Sequence, residues 1–106
     1  MLDIKNWLET TDINTADTAF KKKTELPYIV FLEDTSTNGS DDTNLMALRD
    51  VNVEFYSSKI SRTNEKKIES LLDDKGFEYK KSRIWLEDEK CFQTIYDFSF
   101  LERKDD

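Results

Sequence analysis

The stretch DTSTNGSDDTN, Asp34 to Asn44, is crowded with side chains that could hold a hard cation. Asp34, Ser36, Asn38, Gly39, Ser40 and Asp42 fall on positions 1, 3, 5, 6, 7 and 9 of an EF-hand calcium loop. The twelfth position of such a loop supplies a bidentate Glu, and here it is Leu45. A calcium hand also needs a helix on each side, whereas the flanking segments read as strands. The stretch is therefore expected to be a hairpin connection with Asn38-Gly39 at its turn, and no metal is expected. Long polar loops on rigid scaffolds serve as contact devices. Asp34, Thr35, Ser36, Thr37, Asn38, Gly39, Ser40, Asp41, Asp42 and Thr43 are accordingly the residues expected to touch a partner.

Other chemistry finds little support. Histidine is absent, which removes the commonest general base and metal ligand. Cys91 is the single cysteine, so it has neither a thiol partner nor an imidazole to activate it, and it is expected to pack on a strand. The carboxylate runs Asp41-Asp42, Asp73-Asp74 and Glu87-Asp88-Glu89 lie in predicted loops, helix ends or turns, where solvated charge is the default. No phosphate-cradling glycine motif or nucleophile elbow occurs, and the chain has only 2 glycines. No catalysis and no cofactor are expected.

Charge bounds the partners. The formal net charge is −7, and the one basic run, Lys21-Lys22-Lys23, sits in a predicted loop. Duplex binding through phosphate neutralisation is disfavoured, and so is attachment to anionic membranes. The last strand bears Phe and Tyr on one face but has basic residues only near its ends, at Lys90 and Arg103. An RNA-binding sheet would surround such rings with Lys and Arg. Met1 to Thr11 lacks the basic start and apolar run of a secretory leader. No segment approaches the roughly 20 apolar residues needed to cross a bilayer.

The elements that must position these residues are legible from periodicity. Leu2, Ile4, Trp7 and Leu8 share one face of a short helix. Thr10 to Glu25 reads as a loop anchored by Phe20. Pro27 opens a strand that is apolar on both faces over Tyr28 to Leu32, and therefore central. Leu45, Ala47, Val51, Val53 and Phe55 share one parity of a half-buried strand. Ser61 or Thr63 caps a helix with the stripe Ile68, Leu71 and Leu72, stopped by Gly76. FEYKKSRIWLED follows as a strand with a charged face. After a turn near Asp88-Glu89 comes a strand with Phe92, Thr94, Tyr96, Phe98 and Phe100 on one face. Trp85 and Phe98 are the aromatics expected to weigh most in the core. The expected fold is a single α+β domain over residues 1–106. It is a two-layer sandwich of a four-stranded, mostly antiparallel sheet with two helices on one face, in the order α-β-β-α-β-β. The helix between the second and third strands leaves the strand order open.

The run LPYIVFLED, a polar loop, VNVEFYSS and EKKIESLLDDKGFEYKKSRIWLEDEKCFQTIYDFSF resembles the tail terminator, or tail completion, proteins of long-tailed phages and prophages of Gram-positive bacteria. The resemblance covers about residues 26 to 101, and it lies in the order and spacing of core patterns. It implies a ring of copies, typically a hexamer, that caps the tail tube in the virion neck after assembly in the host cytoplasm. The implied partners are further copies of the chain, the tail tube protein and the head connector or head completion protein. DNA would pass through the hole without sequence-specific binding, and an acidic lumen would repel its phosphates. The alternative is a small acidic regulator that binds a protein by mimicking nucleic acid.

Overall fold

A computed structural model of the chain describes residues 1–37 and 46–103. The elements are α1 (Ile4–Glu9), β1 (Asn14–Asp17), β2 (Tyr28–Thr37), β3 (Met46–Ser57), α2 (Arg62–Asp74), β4 (Tyr79–Leu86) and β5 (Cys91–Arg103). The strands form one sheet in the order β1-β2-β3-β5-β4. β1 runs parallel to β2, and every other neighbouring pair is antiparallel. No described helix is long and apolar enough to cross a membrane.

The sheet corrects the expected four-stranded α-β-β-α-β-β arrangement. It has five strands and is mixed, because β1 lies in the segment read as a loop. The sequence of β1 is NTAD, too short and polar to announce a strand. It is held by pairing instead, with Thr15 opposite Ile29 and Ala16 opposite Val30. Hydroxyls satisfy nearby backbone groups. Thr11 Oγ1 donates to the Leu8 carbonyl and accepts from the Ile13 N–H, and Thr15 Oγ1 donates to the Ile13 carbonyl. The strand order left open by the sequence is settled by β5, which inserts between β3 and β4.

Alternation decides which face is covered. Ile29 and Phe31 of β2, Val51, Val53 and Phe55 of β3, and Tyr96 and Phe98 of β5 form one buried cluster with Ile4 and Leu8 of α1 and Ile68 and Leu72 of α2. The register confirms a shared face, since Val53 opposes both Phe31 and Tyr96 while Phe55 opposes Ile29 and Thr94. Both helices therefore cover this face, and the other stays open. Trp7, Phe77, Phe98 and Phe100 extend the core as an aromatic group. Phe77 stacks 4.5 Å from Phe100, and Trp7 meets Phe77 edge-on at 5.9 Å. Phe20 half-buries its ring against Tyr28 at 5.2 Å, as the expected loop anchor.

The caps of α2 were readable. Ser61 accepts from the Asn64 N–H. At the other end Gly76 takes φ +72, its N–H reaches the Asp73 carbonyl, and the Phe77 N–H reaches the Leu72 carbonyl. This is a Schellman stop, and it carries Phe77 down onto the core beside Leu72. Trp85 does not belong to the core, because it is 44% exposed on the edge strand β4, whereas Phe98 is 5% exposed.

Urea melts should separate these cases. Phe98→Ala is expected to cost roughly 3–5 kcal/mol, and Trp85→Ala less than half as much. Gly76→Ala meets no atom within 4 Å. Its expected cost of about 1 kcal/mol is purely that of left-handed backbone.

Candidate functional site

Three surfaces compete for function: the extension of the sheet beyond its short strands, the open face, and the edge strand β4. The extension comes first because the expected contact residues lie there. β1 pairs with β2 only as far as Phe31, and β4 pairs with β5 only as far as Phe98. Beyond those points β2, β3 and β5 continue as a three-stranded arm, within a molecule measuring 49 × 28 × 22 Å. Asp34, Thr35, Ser36 and Thr37 belong to this arm as the exposed end of β2 and not to a loop. Asp34 and Ser36 share the open face, while Thr35 and Thr37 share the parity of Phe31. An extended strand at the first and third ligand positions does not form a calcium hand. Asn38, Gly39, Ser40, Asp41, Asp42 and Thr43 lie outside the described residues.

Arg49 fixes the root of the arm. It is 6% exposed and stands between Ala47 and Val51 on the covered side of β3. Its Nε and Nη2 donate to both Glu33 carboxylate oxygens at 2.5 and 2.8 Å. Its Nη1 donates to Glu102 at 2.8 Å and to the Leu2 carbonyl at 2.7 Å, while the Leu2 N–H donates to Glu102 at 2.7 Å. One planar guanidinium thus joins β2, β3, β5 and the entry to α1, which a lysine could not do in this geometry. The Arg49 bond holds Glu33 below the usual carboxylate range. Burial pushes Glu102 up, but the Leu2 N–H and Arg49 outweigh it and leave it lowered.

A second ion cluster lies under α2. Glu65 is 2% exposed. It accepts two bonds from Arg83, at 2.9 and 2.6 Å, one from Lys81 at 3.0 Å and one from Thr94 at 3.0 Å. Lys81 also reaches Glu69 at 2.7 Å, and the Tyr96 hydroxyl donates to Glu69 at 2.7 Å. Burial raises the Glu65 pKa, yet Arg83, Lys81 and Thr94 together bring it down to about 2. Burial, followed by Glu69, pushes the Tyr96 hydroxyl well above its ordinary value. Neither group changes charge near neutral pH, so the cluster fastens α2 to β4 and β5 and supplies no proton. The charged face of β4 was legible in the sequence, but its inward pairing was not. The overlooked signal is Glu65 itself, which stands three residues before Ile68 and seven before Leu72, on the apolar stripe.

The open face holds a row of polar groups. Asp34 opposes Asp50, Asp50 neighbours Ser99, and Asn52 opposes Asp97. The Ser99 hydroxyl donates to Asp50, and Asn52 Nδ2 donates to Asp97 at 2.6 Å. Asn52 Oδ1 is buried without a hydrogen-bond partner among the described residues. These groups line a concavity of about 560 Å³ with Leu32 and Thr18. A second hollow of about 710 Å³ lies at the other end of the face, lined in part by Lys22, Lys23, Glu54, Tyr56 and Cys91. There Tyr56 donates to Glu54 and accepts from Gln93, both at 2.8 Å. Burial, then Glu54, raises the Tyr56 pKa far above its ordinary value. Cys91 is 3% exposed, and burial followed by Glu89 raises its thiol pKa, so it stays protonated at neutral pH. No group of three or more His, Cys, Asp or Glu among the described residues could hold a metal ion.

The edge strand β4 exposes Ile84 at 48% and Trp85 at 44%. The indole N–H of Trp85 donates to Glu87 at 2.6 Å, and its ring meets Phe92 edge-on at 4.8 Å. Of the carboxylate runs, Asp73-Asp74 and Glu87-Asp88-Glu89 are exposed, and Asp41-Asp42 lies outside the described residues.

No protein-family model matches the chain, and no curated protein sequence does. Among solved structures, a chain from the virion of a native gene transfer agent particle is similar, with a TM-score of 0.56 and 14% identity. The likeness covers 87% of this chain and 81% of that one. At this identity it is a likeness of fold.

Acid titration tests the Glu65 cluster. The stability contributed by the Glu65 charge is complete above the ordinary value of 4.5 and drains away as pH falls towards about 2. Glu65→Gln should lower the melting temperature at pH 7 and flatten its fall between those two values. Arg49→Ala strands two partly buried carboxylates and should destabilise by on the order of 3 kcal/mol in urea.

Proposed function

We propose that this chain is a structural protein of a phage-like particle, a ring-forming neck subunit that caps a tail tube and meets the head connector. The fold likeness to a gene transfer agent virion chain supports this reading, with a TM-score of 0.56 over most of both chains. The order of core patterns over residues 26 to 101, similar to tail terminator proteins, supports it from the sequence. The architecture suits the task. The two edges of the sheet differ, a four-residue β1 on one side and an eight-residue β4 on the other. Copies joined through unlike surfaces make head-to-tail contacts, which close into rings when the rotation permits. The arm, tied at its root by Arg49, carries Asp34 to Thr37 outward as the described part of the element that reaches a neighbour or the tube. The net charge of −7 suits a passage that lets DNA slide.

Negative-stain microscopy and light scattering at high protein concentration, with and without tail tubes, test the proposal. Annular particles or capped tube ends are expected. A chain that stays monomeric, leaves tube ends bare and binds a nucleic-acid-handling protein instead would be the acidic mimic. Replacing residues 39–44 by a short turn should leave the melting transition within about 1 kcal/mol of the parent, as surface changes do, yet abolish ring closure or docking. A normal ring in that variant would remove the arm from the interface.

A further inference from the structure

The acidic row is unexplained by the fold. Asp34 stands directly opposite Asp50 on neighbouring antiparallel strands, a placement that costs stability through like-charge repulsion. No described cation pairs with Asp34, Asp50 or Asp97 within 4.0 Å, although Lys80 stands across from Asp97 in register. Leu32 lies in the same concavity and is 40% exposed, which offers an apolar bed for the stem of a long side chain. The complement is present elsewhere in the same chain. Lys21, Lys22 and Lys23 are exposed and form no ion pair among the described residues, and Lys22 and Lys23 line the hollow at the other end of this face beside Glu54, Asp88 and Glu89. One face therefore bears a row of carboxylates towards the arm and an exposed lysine segment at the end away from it.

We propose that the open face is an interface between copies, in which the row of Asp34, Asp50 and Asp97 receives the Lys21–Lys23 segment of a second copy. The inference rests on the ring reading and names its contact. A lysine segment from one copy and an acidic row on the next are different patches, as a head-to-tail assembly requires. Juxtaposed unlike charge also fixes which neighbour is accepted, because two acidic rows repel.

Reciprocal charge reversal tests it. One variant carries Lys21→Glu, Lys22→Glu and Lys23→Glu, and the other carries Asp34→Lys and Asp50→Lys. All five side chains are exposed, and circular dichroism confirms that both variants fold. In sedimentation velocity each variant alone is expected to self-associate at least about tenfold more weakly than the parent, since like charge now meets like. An equimolar mixture restores association, because each loop then finds an opposite row, and raised salt weakens the parent. Rings or oligomers of undiminished affinity in both single variants would overturn the interface while leaving the ring reading intact. So would a mixture that fails to recover. A parent chain that stays monomeric alone and on tail tubes would overturn both.

Discussion

A buried carboxylate must be met by its own cations, and Glu65 is that constraint here. Left alone under α2, its charge would be expelled or neutralised. Arg83 and Lys81 meet it from β4, and Thr94 meets it from β5. The consequence is a register. If Lys81 and Arg83 face the helix, then Lys80, Ser82 and Ile84 face the open side, and a slip of one residue would reverse every side chain of the strand. Glu65 thereby positions β4, the edge strand that β5 separates from β3.

Arg49 performs the matching task at the other end. Its guanidinium replaces the apolar packing that the core loses as the sheet outruns its helices. Between these two clusters the core is aliphatic and aromatic, so the scaffold has a rigid middle with ion-pair clamps at both ends. Both clamps face the helices. The open side keeps carboxylates and the exposed aliphatic residues Leu32, Ile84 and Leu101 outside the core.

The titratable side chains with large shifts, Tyr56, Glu65 and Tyr96, are displaced away from neutrality and tied into the scaffold. The likeness to a virion chain is one of fold. The long arm and the unequal sheet edges follow from strands of different length.

Local patterning told which residues share a face. Val51, Val53 and Phe55, then Thr94, Tyr96 and Phe98, alternate so strictly that their strands and covered side follow from the chain alone. Ser61, Ile68, Leu72 and Gly76 likewise delimit α2, because caps and helical stripes are set within a few residues of sequence. The expected contact stretch was legible as polar, and its first four residues extend β2 with exposed side chains. Only the tertiary structure decided what depends on distant partners. NTAD becomes a strand because β2 offers free hydrogen-bonding groups. Trp85 is left outside because β4 ends the sheet. Lys81 and Arg83 turn inward because a carboxylate at least sixteen residues away is buried beneath them. Periodicity records how a segment curls and which side is apolar, but the choice of neighbour, and so the fate of each charge, is a free-energy comparison over the whole chain.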